Sequence, residues 1–108
     1  MDCQQVISDY LKWIKDNTVV KTVEDGKVCS ISTPFLDRHN DHLDIYLIKN
    51  NGTIKITDNG YTIADLKMSG FEINTPKREN ILKTALNGFG VKMNSNDEFF
   101  VEATPHNV

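Results

Sequence analysis

The sequence predicts a single α+β domain containing an antiparallel sheet of about four strands. Three observations favour this class. An amphipathic helix opens the chain, the next strand-like segments are joined by turns too short for parallel crossovers, and two helices and a β-hairpin follow. The 108 residues are 39% hydrophobic and 25% charged, as is typical of globular proteins. We expect one domain over residues 1–108, with a frayed tail over 104–108.

The first helix is predicted from its cap and its apolar periodicity. Asp2 is a suitable N-cap, and Gln5 completes a capping-box pattern. Residues at helical spacing form one apolar face, which would pack on the core: Cys3, Val6, Ile7, Tyr10, Leu11 and Ile14. Trp13 lies beside this face and is interpreted as a residue at the edge of the core or, alternatively, as an anchor for a partner. Asn17 is expected to end the helix.

Two β-hairpins are predicted next. The first joins Val19–Val23 to Val28–Thr33 through a Glu-Asp-Gly turn, and Pro34 is expected to stop its second strand. The second hairpin joins residues 42–49 to Thr53–Thr57 through an Asn-Asn-Gly turn.

The turn of the second hairpin also predicts which residues face each other across it. Leu43, Ile45 and Leu47 alternate with polar residues, so they should share one face of the sheet. A two-residue loop would then place Leu47 opposite Lys55 and Asp44 opposite Asp58. Because two facing carboxylates repel each other, this register would require a compensating cation or donor.

Two further helices and two short strands complete the prediction. A short helix over 62–68 would have Thr62 and Asp65 as its cap pair and Gly70 at its left-handed end. The dipeptide Thr75-Pro76 predicts the start of a longer helix, which ends near Gly88 and Gly90. Residues 91–93 and 98–103 should form the closing hairpin.

The charge and cysteine content exclude several classes of protein. The chain has 12 basic and 15 acidic residues, so its net charge of −3 is too small for a nucleic-acid coat protein. Residues 66–92 are the exception, with five basic and two acidic residues. Cys3 and Cys29 are interpreted as free thiols of a reduced protein, and no cofactor is expected. The chain lacks an apolar span and a signal peptide, so we expect no membrane association and a cytoplasmic location.

Two segments resemble a known family. They are TPFLDRHNDH at residues 33–42 and ITDNGYT at 56–62, followed by a short helix ending at Gly70. Together they resemble the small bacterial and phage proteins grouped as domain of unknown function 1828, over about residues 3–103. The resemblance implies a prophage or mobile-element protein of Gram-positive bacteria, which interferes with a host system or acts in a toxin–antitoxin pair. It implies no catalytic residue.

The first segment contains the densest polar cluster of the chain, and three interpretations remain open for it. A structural network is one, because Asp58 and the loop carboxylates can cap turns. A surface for a protein partner is another, formed by Asp37, Arg38, His39, Asp41, Asp44 and Tyr61. The third is a metal-dependent nuclease, in which Asp41, Asp44 and Asp58 hold the cation and Lys55 lies nearby.

A nucleic-acid alternative rests on the basic region. Two helices followed by a hairpin is the order of a winged helix-turn-helix. The second helix would expose residues suited to phosphates and base edges: Lys77, Asn80, Lys83, Thr84 and Asn87. The long linker between the helices and the acidic wing argue against this interpretation.

The sequence therefore favours a non-catalytic protein that binds and modulates a host or partner protein, as a counter-defence inhibitor or an antitoxin does. A DNA-binding regulator and a metal-dependent nuclease are the alternatives. The identity of the partner and the oligomeric state do not follow from the sequence.

Overall fold

The computed structural model of the protein describes residues 1–104, so most of the tail predicted to fray lies outside the described residues. The chain runs through helix α1 (Cys3–Asp16), strands β1 (Val19–Val23), β2 (Val28–Leu36), β3 (His42–Asn50) and β4 (Thr53–Thr57), helices α2 (Tyr61–Met68) and α3 (Pro76–Gly88), and strands β5 (Lys92–Met93) and β6 (Phe99–Ala103). A 3₁₀ turn, Glu24–Gly26, links β1 to β2.

The six strands form one antiparallel sheet in the order β1-β2-β3-β4-β6-β5, which confirms the α+β class. The predicted C-terminal hairpin forms, since Lys92 and Met93 of β5 pair with β6, but β6 also lies beside β4, so the sheet has six strands rather than about four. Ile56 pairs with Val101 and Thr57 with Phe100. This pairing satisfies the backbone of β4, which would otherwise be an open edge.

The hairpin of β3 and β4 forms as predicted, but its register differs by one residue. Asn51 and Gly52 alone form the loop, both with positive φ, and Asn50 pairs with Thr53. Leu47 consequently faces Ile56 rather than Lys55. Asp44 does not face Asp58, because β3 pairs with β4 only from Tyr46 onward and Asp58 lies beyond the end of β4.

Strand β2 continues past Pro34, where it was predicted to stop. The register shifts between the pairs Ser32–Asp44 and Leu36–His42, so Pro34 lies in a bulge and no regular ladder bond is lost there. Two side chains bridge the bulge. The Thr33 hydroxyl donates to the Leu43 carbonyl at 2.8 Å, and His42 Nδ1 bonds the Thr33 carbonyl at 2.7 Å.

The caps of α1 and α3 are largely as predicted. The Asp2 carboxylate accepts from the backbone N–H groups of Gln4 and Gln5, although the Gln5 side chain donates to Asp9 and does not close the capping box. The Thr75 hydroxyl accepts from the Arg78 N–H at the start of α3.

The predicted cap of α2 is wrong. The helix begins at Tyr61, after Gly60 with φ of 82°. The side chain that caps it belongs to Asp58, whose Oδ2 accepts the Thr62 N–H. The left-handed conformation predicted for Gly70 is present.

Little of the described chain is buried. Thr57, Ile63 and Ala103 are the most buried residues among 1–104, with relative exposures of 2%, 5% and 8%. The small apolar cluster lies where α2, α3 and β5 meet, and Ile63, Leu82 and Met93 line a common cavity there of about 420 Å³.

The N-terminal helix lies apart from this cluster. Its apolar face was predicted to pack on the core, yet the structure leaves Val6, Ile7, Tyr10 and Leu11 exposed. The radius of gyration is 16.4 Å, whereas a compact chain of this length should have about 13 Å. None of the helices over residues 1–104 has the length and apolarity required to span a bilayer.

Candidate functional site

The loop between β2 and β3 is organised by the carboxylate of Asp37. Its Oδ1 accepts the backbone N–H groups of His39 at 2.7 Å and of Asp41 at 3.1 Å, and the Asp37 N–H donates to the Asp41 carbonyl at 2.8 Å. Asn40 adopts a φ of 61°, a conformation that asparagine tolerates better than most residues. The Asp37–Asp41 loop therefore has a defined shape.

Tyr61, the first residue of α2, ties this loop to the helix. Its hydroxyl donates to Asp37 Oδ2 at 2.7 Å. This bond lowers the pKa of Asp37 below its usual value, and the backbone N–H groups of Asp41 and His39 act in the same direction. The same bond raises the pKa of Tyr61 to about 12, because ionisation would place two negative charges side by side.

Asp65 makes the second connection between the loop and α2. Arg38 donates from Nε to Asp65 Oδ2 and from Nη2 to the Asp65 carbonyl, both at 3.1 Å. His39 Nε2 lies 2.9 Å from Asp65 Oδ1. The sequence pattern assigns Asp65 only to a helix cap. The signal that could have revealed its role is its spacing of four from Tyr61, which puts both side chains on one face of the helix.

An open cleft of about 350 Å³ lies beside this junction. It is lined by residues from the ends of β3 and β4 and the start of α2, namely Asp41, His42, Asp44, Tyr46, Asp58, Asn59, Gly60, Tyr61 and Ala64. The structure thus brings three of the six predicted partner-binding residues, Asp41, Asp44 and Tyr61, to the cleft. The other three, Asp37, Arg38 and His39, form the adjoining loop and its bonds to α2.

The carboxylates in the cleft differ in what they already bind. Within residues 1–104, the side chains of Asp41 and Asp44 make no hydrogen bond or ion pair, and both residues are exposed. His42 bonds the Thr33 carbonyl through Nδ1. Because a carbonyl only accepts, Nδ1 must donate, which leaves Nε2 as the acceptor of the neutral ring. The cleft therefore presents acceptors and negative charge.

Asp58, in contrast, has its oxygens occupied by the backbone. Oδ1 accepts the N–H groups of Gly60 and Phe99, both at 2.9 Å, and Oδ2 accepts the Thr62 N–H at 3.1 Å. This arrangement matches the capping interpretation of Asp58. No group of three or more His, Cys, Asp or Glu side chains in residues 1–104 is arranged to hold a metal ion, so the set Asp41, Asp44 and Asp58 gains no support.

The residues of the nucleic-acid alternative all lie on α3, away from the cleft lining. Lys77, Asn80, Lys83, Thr84 and Asn87 are exposed. The nearby Arg78 is exposed and makes two internal contacts. Its guanidinium stacks on the Phe71 ring at 4.4 Å and donates to the Glu72 carbonyl at 2.8 Å.

A second carboxylate with a structural role, Glu98, was not singled out in the sequence. It accepts from the Thr57 hydroxyl, from Lys55 Nζ at 3.2 Å and from Asn94 Nδ2 at 2.7 Å. These bonds hold the pKa of Glu98 below its usual value, with the Thr57 hydroxyl contributing most. Lys55, proposed above as part of a nuclease site, is therefore engaged in an ion pair with Glu98.

A family model describing a domain of unknown function, DUF1828, matches residues 33–108. The chain belongs to the DUF1828 family. The match begins at Thr33, later than the resemblance suggested, and leaves α1 and β1 outside the matched region. No curated protein and no solved structure matches the sequence. Both segments that carried the resemblance, 33–42 and 56–62, meet at the cleft, so the DUF1828 domain builds this corner from its own matched residues.

Proposed function

We propose that this DUF1828 domain binds a partner protein by receiving a basic side chain in the cleft, and that it acts without turning over a substrate. The observation that carries the proposal is the contrast between carboxylates. Asp37, Asp58 and Asp65 are occupied by internal donors, whereas the cleft carboxylates of Asp41 and Asp44 have no partner in residues 1–104.

The proposed ligand follows from the charges and shape of the cleft. An ammonium or guanidinium group could donate to both free carboxylates and to His42 Nε2. Tyr46 and Tyr61 supply aromatic surface in the same cleft, which suits the stem of a long basic side chain. A rigid corner favours binding because little ordering remains to be done when the partner arrives.

The biological setting remains a prediction. A mobile-element protein that modulates a host protein would need a preformed surface of this kind, but it would need no catalytic group. Salt-dependent binding to DNA through Lys77 and Lys83, and cleavage that depends on a divalent cation, are the competing predictions.

The proposal can be tested with a defined probe. We would titrate ¹⁵N-labelled protein with N-acetyl-arginine amide and follow the backbone amide resonances, using N-acetyl-glutamine amide as the neutral control. The arginine probe should perturb residues 41–46 and 58–64 with millimolar affinity. The double variant Asp41→Asn/Asp44→Asn should lose the effect.

The matched control is Glu24→Gln/Asp25→Asn, which removes the same charge from the exposed 3₁₀ turn between β1 and β2. It should retain the perturbation. If both double variants respond alike, or if the glutamine probe binds equally well, the cleft is not a site for basic groups. Cleavage of DNA that requires Mg²⁺ or Mn²⁺ and Asp44 would replace the proposal by the nuclease alternative.

A further inference from the structure

The N-terminal apolar surface is the largest feature that the cleft leaves unexplained. We define it as the exposed large apolar residues of α1 and β1: Val6, Ile7, Tyr10, Leu11, Trp13, Val19, Val20 and Val23. No residue of α1 is buried in the part of the chain that the structure describes. Monomeric proteins rarely expose so much contiguous apolar surface unless it binds something.

The amount of exposed surface indicates the size of the missing contact. The chain exposes 8358 Å², whereas a compact monomer of 12.3 kDa should expose about 6,100 Å². The excess is therefore about 2,000 Å² per chain, which is in the range that each subunit buries in an obligate dimer. A contact with a short peptide would be too small to account for it.

The free edge of the sheet at β1 favours a second copy of this chain as the partner. Strand β1 is an edge strand with all five residues exposed, and it contains no proline and one charge, Lys21. Lys21 is the one side chain of this strand that opposes edge pairing, and the other four residues are uncharged. The opposite edge, β5, has only two residues. Antiparallel pairing of β1 with β1 of a second copy would satisfy its free backbone groups and continue the sheet.

The direction of α1 favours a second copy of the chain whose own α1 runs antiparallel to it. Asp9 lies in the first half, which Asp2 caps, while Lys12, Lys15 and Asp16 lie in the second, where Lys12 pairs with Asp16. A two-fold axis perpendicular to α1 reverses the second helix, so the N-terminal half of one α1 lies beside the C-terminal half of the other. It also sets the two helix dipoles antiparallel.

We propose that the protein is a two-fold symmetric dimer in which α1 and β1 of a second copy cover the N-terminal apolar surface. The two elements are separated by only two residues, so one partner can reach both. The apolar stripe of α1, with residues spaced three and four apart, suits antiparallel helix packing.

The test uses the full chain and two readouts. Light scattering after size exclusion at micromolar concentration should give a mass twice 12.3 kDa. Trp13 is the only tryptophan and is 47% exposed in the isolated chain. Its emission should therefore shift to the red when dilution separates the subunits.

Substitutions on each element should produce the monomer. Leu11→Glu on α1 and Val20→Glu on β1 should each halve the mass and shift the Trp13 emission to the red at all concentrations. Met68→Glu is the matched control, because Met68 is an 88% exposed apolar residue of α2 outside this surface. It should remain dimeric. Circular dichroism and urea unfolding would check that each variant is folded.

Three results would overturn the proposal. A monomeric wild type with blue-shifted emission would mean that α1 packs on its own sheet. A monomeric wild type with red-shifted emission would mean that the surface is free. If the Leu11→Glu variant is still a dimer, the interface lies elsewhere on the protein.

Discussion

The role of Asp58 gives the sharpest prediction about stability, because it separates a structural carboxylate from a metal ligand. Asp58→Ala leaves the N–H groups of Gly60, Thr62 and Phe99 without their acceptor. A hydrogen bond to a charged group contributes about 1.5–3 kcal/mol, and solvent can replace part of this at a half-buried site. At about 1 kcal/mol for each bond, the variant should lose about 3 kcal/mol of unfolding free energy.

Urea and thermal unfolding would measure this loss at one fixed protein concentration, since association also contributes to stability. A loss of about 3 kcal/mol corresponds to a melting temperature lower by about 12 °C in a domain of this size. Asp58→Asn keeps one acceptor oxygen and should lose about 1 kcal/mol. Asp44→Ala is the control within the same cleft and should change stability by less than about 0.5 kcal/mol.

The comparison of Asp58→Ala with Asp44→Ala can also refute the structural role of Asp58. If Asp58→Ala and Asp44→Ala have the same small effect on stability, the three backbone bonds do not hold this corner together. If, in addition, both variants abolish binding of Mn²⁺ to a folded protein, Asp58 is a ligand rather than a cap.

Two pH predictions follow from the remaining carboxylates. Asp37→Asn should lower the pKa of Tyr61 from about 12 towards 10. NMR of ¹³C-labelled tyrosine would measure this change, with the signals of Tyr10 and Tyr46 for comparison. An unchanged pKa of Tyr61 would contradict the hydrogen bond to Asp37. Because the pKa of folded Tyr61 is raised, its stabilising effect is complete below pH 10.0 and is lost as the pH rises towards 12. The pKa of Glu98 is lowered, so its contribution is present above its ordinary value of 4.5 and disappears as the pH falls through the lower folded-state pKa. Glu98→Gln should therefore be less stable than the wild type at neutral pH, and urea midpoints should show this difference shrinking in acid; a difference independent of pH would contradict it.

Local patterns in the sequence predicted most elements, and the errors arose where distant segments meet. The hairpin of β3 and β4 follows from alternation and an Asn-Gly loop, both of which are short-range signals. Pro34 indicated the end of a strand, whereas the fold accommodates it in a bulge. The place of β6 beside β4 depends on contacts more than 40 residues apart along the chain, which no local pattern specifies.

In the candidate site, too, residues within short segments were predicted, whereas contacts between distant segments were not. Asp37, Arg38, His39 and Tyr61 were identified because polar residues are dense in two short segments. Asp65 was missed as the residue that joins them, since its partners lie 26 and 27 positions away. The helical spacing between Tyr61 and Asp65 was visible, but its meaning depended on knowing that the loop packs against α2.

The cleft and the dimer surface occupy different parts of the chain, which makes the two proposals independently testable. Asp41 and Asp44 belong to the family-matched region, whereas Leu11 and Val20 precede it. Leu11→Glu should thus leave the response to the arginine probe unchanged, and Asp41→Asn/Asp44→Asn should leave the mass unchanged. Val20 faces Ile31 of β2, and β2 continues through the bulge to the Asp37–Asp41 loop. If Val20→Glu alone weakens probe binding while Leu11→Glu does not, the cleft depends on the conformation of β2 rather than on dimerisation.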